Sequence, residues 1–159
     1  MAITRALVEE LERLQKSQPS LVRLVTKPRA VRLIRGPAKD GPVSGLVVEN
    51  REGEQRVERG TAMLATGGYA ADFDSGTSLL ARYTPAMLNF ATTNAGHATG
   101  GGIKMGEPVG AWLTDMQHVQ VHPTGLVDPA DPDRRVKFLC AEALRGAGVL
   151  WMSSVAAMR

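Results

Sequence analysis

The chain has 159 residues, 43% of them hydrophobic but only 4% aromatic, so one domain-sized core built mainly from aliphatic side chains is expected. Its 19 Lys and Arg are opposed by 16 Asp and Glu, and no basic run with interleaved aromatics appears, which argues against a nucleic-acid partner. The single cysteine, Cys140, excludes an internal disulfide and a cysteine-based zinc site; no stretch approaches the roughly 18–20 apolar residues of a membrane span, and Glu9, Glu10 and Glu12 stand where a secretory signal is apolar.

Residues 3–16 are predicted to form an amphipathic helix, with Ile3, Leu7, Leu11 and Leu14 at helical spacing and Glu9, Arg13 and Lys16 elsewhere on its surface. Ser17-Gln18-Pro19-Ser20 stops it. Alternation over 21–26 predicts a strand, as does 30–35 beyond Pro28. Segments 45–50 and 55–59, joined across Arg51-Glu52-Gly53-Glu54, have the pattern of a hairpin. A short apolar strand over 61–66 then delivers the turn Thr66-Gly67-Gly68. Nucleotide cofactors bind at such turns at the carboxyl ends of open α/β sheets, because backbone without Cβ admits close approach. The same residues also fit a plain turn.

A short helix over 78–83 is predicted to close before Pro85. Residues 92–102 form a polar, glycine-dense loop that opens a helix over 103–112. Glycines at such an opening either aim free amides at an anion such as phosphate or make a flexible connector. Pro108 removes a backbone donor, so the helix is expected to be short or kinked. His97 reads as a solvated loop residue. A strand over 115–121 carries the chain to His122, which Pro123 holds extended. Residues 128–135 read as a polar loop stiffened by Pro129 and Pro132. Beyond it Cys140 reads as a small buried apolar residue or a redox thiol. Glu142 and Arg145, three residues apart, face one another on a helical turn, either as a proton-passing pair or as a structural ion pair. His118 and His122 could share a helical face as metal ligands, but the Val-Gln-Val between them favours a strand and no acidic partner completes a site. No metal is assigned.

Four segments in this order carry a resemblance: Leu64-Ala65-Thr66-Gly67-Gly68, Thr99-Gly100-Gly101-Gly102, Gln120-Val121-His122-Pro123-Thr124-Gly125 and Glu142-Ala143-Leu144-Arg145-Gly146. Together they resemble the flavoprotein subunits of fumarate reductase and succinate dehydrogenase, in particular the soluble single-chain fumarate reductases, the trypanosomatid NADH-linked type included. The insertion 126–135 and Phe138-Leu139 are similar to that subgroup. The resemblance implies an α/β fold. Residues 1–118 would be part of a Rossmann-like, glutathione-reductase-type FAD-binding domain with a small antiparallel excursion, and 119–159 the start of an α+β capping domain. It implies that Ala65, Thr66, Gly67, Gly68, Thr99, Gly100 and Gly102 line FAD and that His122 and Thr124 bind a substrate carboxylate. Glu142 and Arg145 would serve substrate binding and proton delivery.

The implied reaction is hydride transfer from reduced flavin to fumarate, giving succinate, with a small dicarboxylate as the partner molecule. An intracellular location, cytoplasm or organelle lumen, is expected. The sequence departs from the family in three ways. Gly101 stands where the family has Asp, Pro108 interrupts the following helix, and the glycine-rich Gly-x-Gly-x-x-Gly unit and the family's proton-donating downstream arginine are not among these residues. The resemblance thus implies the middle of a flavoenzyme, marginally stable and inactive by itself. The alternatives are a non-catalytic α/β domain and a related flavoprotein acting on another substrate.

Overall fold

The computed structural model describes residues 2–37, 41–74, 76–122 and 125–139. The chain divides into two compact units, Met1–Ala62 and Met63–Arg159.

In the first unit, helix α1 (Ala2–Ser17) follows from the helical repeat of Leu7, Leu11 and Leu14, and surface pairs reinforce it. Arg5 donates to Glu9 four residues on at 2.8 Å, and Arg13 reaches back three residues to Glu10 at 2.5 Å. Strands β1 (Arg29–Arg35), β2 (Val43–Glu49) and β3 (Gln55–Arg59) form an antiparallel sheet in the order β1-β2-β3. The β2–β3 hairpin closes on Asn50, whose side chain accepts from the amides of Glu52 and Glu54, with Gly53 at φ 83°. Among the described residues of this unit, Leu33 and Val47 are the buried large apolar side chains. Gly45 is required by close packing, because a Cβ there would lie 2.4 Å from the Glu58 carbonyl oxygen on β3.

In the second unit, helix α2 (Leu79–Tyr83) starts at Ser78, whose hydroxyl accepts from the amide of Ala81 at 3.0 Å. Pro85 then opens a 3₁₀ turn, Pro85–Asn89. Leu79, Leu80 and Ala98 are buried here; a fully buried Leu such as Leu80 contributes about 1.5–3 kcal/mol. Helix α3 (Gly101–Gly106) passes into a 3₁₀ turn at Glu107–Val109, because Pro108 has no amide to continue the ladder, and Gly110 at φ 77° ends it.

Three expected strands are absent, each for a local reason. Residues 21–26 have no ladder partner among the described residues. The amides of Leu21 and Val22 go to the Gln18 carbonyl, that of Leu24 goes to the Gln15 side chain, and Lys27 at φ 86° ends the extension. Residues 61–66 run without a ladder neighbour among the described residues, between Gly60 at φ 139° and Gly67 at φ 74°. Over 115–121, Asp115 at φ 55° and the 2.9 Å bond from the His118 amide to the Asp115 carbonyl make a turn instead. The helix expected over 103–112 is also shifted and shortened to 101–106. No described helix is long and apolar enough to cross a membrane.

Candidate functional site

The two glycine turns meet in the second unit. Gly100, left-handed at φ 70°, is the N-cap of α3 and has no side chain with which to satisfy the helix's first amides. That oxygen comes instead from Thr66, 36 residues earlier, whose Oγ1 accepts the Gly102 amide at 2.9 Å. The Gly100 amide donates to the Gly68 carbonyl at 3.0 Å, and the Ala71 amide to the Ala98 carbonyl at 2.9 Å. The glycines divide into two kinds. A Cβ on Gly100 would lie 2.4 Å from Leu79 Cδ1 and 2.9 Å from Tyr69 Cβ, and one on Gly102 would lie 2.3 Å from Thr66 Oγ1. At Gly67, Gly68 and Gly101 an added Cβ meets nothing within 4 Å. Gly100 and Gly102 therefore allow the turns to dock, whereas Gly67 and Gly68 present bare backbone outward.

That backbone borders a shallow groove of about 270 Å³ lined by Leu64, Ala65, Thr66, Gly67, Gly102, Ile103 and Trp112 among others. Its wall is apolar, and Trp112 is 91% exposed. Open amides beside a flat apolar wall suit a planar, partly polar ring system. α3 has only six residues and its Gly102 amide is committed to Thr66, so the phosphate-binding arrangement that a glycine-opened helix allows is not built here.

A second groove, about 730 Å³, lies in the same unit with Phe73 and Leu80 among its lining residues. One side is Thr92, Thr93 and Asn94; the other is Val119 to His122 with Gly125 and Lys137. The loop after Gly125 is held by a parallel bridge between Thr92 and Val136: the Thr92 amide donates to Arg135 O at 2.8 Å and the Lys137 amide to Thr92 O at 2.7 Å. Arg135 adds to this hold. Its guanidinium lies 4.4 Å from the centre of the Phe73 ring and donates to the Leu88 carbonyl at 3.1 Å. His122 is exposed on this groove with a lysine and four polar side chains, Thr92, Thr93, Asn94 and Gln120, a combination able to receive a carboxylate. The Tyr69 hydroxyl donates to the Met116 carbonyl, fixing the start of the 116–122 segment. Burial pushes its pKa above the ordinary phenol value, with the neighbouring Tyr83 adding to the rise.

The structure thus brings Ala65, Thr66, Gly67, Gly68, Thr99, Gly100 and Gly102 together and places His122 on a groove of the same unit. Thr124, Glu142, Arg145 and Cys140 lie outside the described residues. His97 is exposed, and among the described residues no group of three or more His, Cys, Asp or Glu could hold a metal ion. Sequence reasoning missed Asp72 and Lys104, whose ion pair of 2.8 Å sits behind the glycine turns. No periodicity links a loop carboxylate to a lysine 32 residues on.

A protein-family profile described as an FAD binding domain matches residues 1–158. The chain belongs to this FAD-binding family. Among its relatives are a fumarate reductase of Schizosaccharomyces pombe, 40% identical over 93% of this chain, and fumarate reductase 1 of Saccharomyces cerevisiae, 35% identical over 99%. The chain spans 29% and 32% of those two relatives. A solved structure of the open conformation of a flavocytochrome c3 fumarate reductase matches with a TM-score of 0.58 at 30% identity, covering 75% of this chain and 19% of that one. The small antiparallel sheet is consistent with this assignment.

Proposed function

We propose that this chain is part of an FAD-dependent fumarate reductase, contributing one face of the flavin site and half of a dicarboxylate pocket. The observation that carries the reading is the open Gly67–Gly68 backbone beside an apolar groove, docked against α3 by the Thr66–Gly102 hydrogen bond. In this reading residues 1–118 belong to a Rossmann-like FAD-binding domain and 119–159 begin a capping domain. Ala65, Gly67, Gly68 and Thr99 line the cofactor. Thr66 is committed to Gly102, and Gly100 and Gly102 to close packing, so these three hold the lining in place.

Bound FAD supplies the hydride that reduces an activated carbon–carbon double bond. The chain's own residues position and polarise the substrate. His122 takes one carboxylate at the groove bordered by Lys137, and Thr124 is assigned to the same carboxylate by the family resemblance. Glu142 and Arg145 are assigned to binding the substrate and delivering the proton. Fixing both carboxylates contributes much of the rate through orientation and preorganised charge.

The test is reduction of fumarate by the FAD-loaded full-length protein with a chemical reductant, compared with a monocarboxylate enoate. Fumarate is expected to react, His122→Gln to raise KM, and Glu142→Gln to lower kcat far more than it changes KM. Equal rates on the monocarboxylate would remove the two-carboxylate clamp. Reduction of a different substrate with none of fumarate would keep the flavin reading and overturn the substrate.

A further inference from the structure

Asp72 is the one buried acidic side chain among the described residues, 1% exposed, and no step of the proposed reaction uses it. Its carboxylate is divided between two elements. One oxygen accepts from the Leu79 amide at the start of α2 at 2.7 Å, and the other accepts from Lys104 Nζ on α3 at 2.8 Å. Its backbone closes the turn that follows the paired glycines: the Asp72 amide donates to the Tyr69 carbonyl at 3.0 Å, and the Asp72 carbonyl accepts from the Ser78 hydroxyl. Lys104 in turn donates its amide to the Gly100 carbonyl at 2.9 Å. The ion pair therefore joins the chain just after Gly68 to the helix whose Gly102 amide is held by Thr66. Without the ammonium, a carboxylate removed from water keeps a single amide donor, which strongly disfavours the docked arrangement.

We propose that Asp72 and Lys104 are positioning residues for the flavin face: their ion pair locks α3 against the Gly67–Gly68 turn and so sets the shape of the cofactor-facing backbone. This rests on the flavin reading of that turn. Neither side chain needs to touch the cofactor. The lock acts through two hydrogen bonds, Gly100 amide to Gly68 carbonyl and Gly102 amide to Thr66 hydroxyl. These two amides report its state without any ligand.

The experiment uses the full-length protein and two readouts, hydrogen exchange at the Gly100 and Gly102 amides without cofactor and equilibrium titration with FAD. Lys104→Met is expected to speed exchange at both amides by about tenfold or more while amides of the β1–β3 sheet, in the other compact unit, keep their rates. FAD affinity is expected to fall by about tenfold. Lys104→Arg, which keeps the cation, should restore both readouts, and Asp72→Asn with Lys104→Met should recover part of each because no buried charge is left unpaired. Glu107→Gln, which weakens the exposed Arg82–Glu107 pair in the same unit, should change neither. Unchanged exchange at Gly100 and Gly102 in Lys104→Met would overturn the proposal. So would a loss of FAD affinity with unchanged exchange, since Lys104 would then act on the cofactor itself. Should Lys104→Met not fold, Lys104→Gln carries the same comparison. If the full-length protein takes up no FAD, the flavin reading fails, and the exchange arm still decides whether the pair locks the turns.

Discussion

The packing at Gly102 gives a sharp stability prediction. An alanine Cβ at this position lies 2.3 Å from Thr66 Oγ1, 3.4 Å from its Cβ and 3.5 Å from its Cγ2, so the threonine side chain must leave its place. Displacement costs about 1–3 kcal/mol as overpacking, and loss of the oxygen that caps the Gly102 amide costs about 1 kcal/mol more. Replacing glycine in a helix returns up to about 1 kcal/mol. Gly102→Ala should therefore destabilise the second unit by about 1–3 kcal/mol. Its neighbour is the internal control. A Cβ on Gly101 meets nothing within 4 Å, so Gly101→Ala should be neutral or stabilising by up to about 1 kcal/mol. Urea unfolding followed by amide NMR intensities of residues in 63–122 measures both. Thr66→Ala should relieve most of the clash in the Gly102→Ala background. Equal stability of the two single variants would refute the docking of α3 on Thr66.

Other consequences of the structure are as direct. Gly45→Ala places a Cβ 2.4 Å from the Glu58 carbonyl oxygen, a backbone atom, and should destabilise the three-stranded sheet by about 1–3 kcal/mol in chemical denaturation. Ser78→Ala removes the α2 cap and a bond to the Asp72 carbonyl, and a loss of about 1–2 kcal/mol is expected, read as faster exchange of the Ala81 amide. The folded-state pKa of Tyr69 is raised, so its contribution to stability is fully present below the unfolded phenol value and is lost as pH rises through the folded value. Melting temperature should fall on the alkaline limb above about pH 10, and Tyr69→Phe should make that limb shallower; an unchanged slope would contradict the burial of this hydroxyl.

Features written locally in the sequence were legible. Helix α1 follows from Leu7, Leu11 and Leu14 with Pro19 beyond it, the hairpin from Asn50 and Gly53, and α2 from Ser78 and Pro85. The shortening of α3 was readable in Pro108. The strands expected over 21–26 and 115–121 from alternation, and over 61–66 from a short apolar run, failed because neither pattern supplies a partner strand. At 21–26 and 115–121, side-chain and turn hydrogen bonds took amides that a ladder needs. The glycine turns were legible as a motif, but their division of labour was not. Gly100 and Gly102 owe their lack of a side chain to Leu79, Tyr69 and Thr66, contacts 20 or more residues away, and the Asp72–Lys104 pair spans 32. Such contacts exist only after the fold has formed.

In the proposed flavin reading the outward backbone of Gly67–Gly68 receives FAD, and titration of the full-length protein beside its Gly68→Val variant is the sharpest check. A Cβ added at Gly68 meets no protein atom within 4 Å, so the variant should melt close to the parent temperature. The account predicts a flavin absorbance band near ~450 nm that survives desalting in the parent, and an affinity lower by about tenfold or more, equivalent to about 1.4 kcal/mol, in Gly68→Val. Equal affinity in the two proteins, or a parent that takes up no FAD, would contradict it.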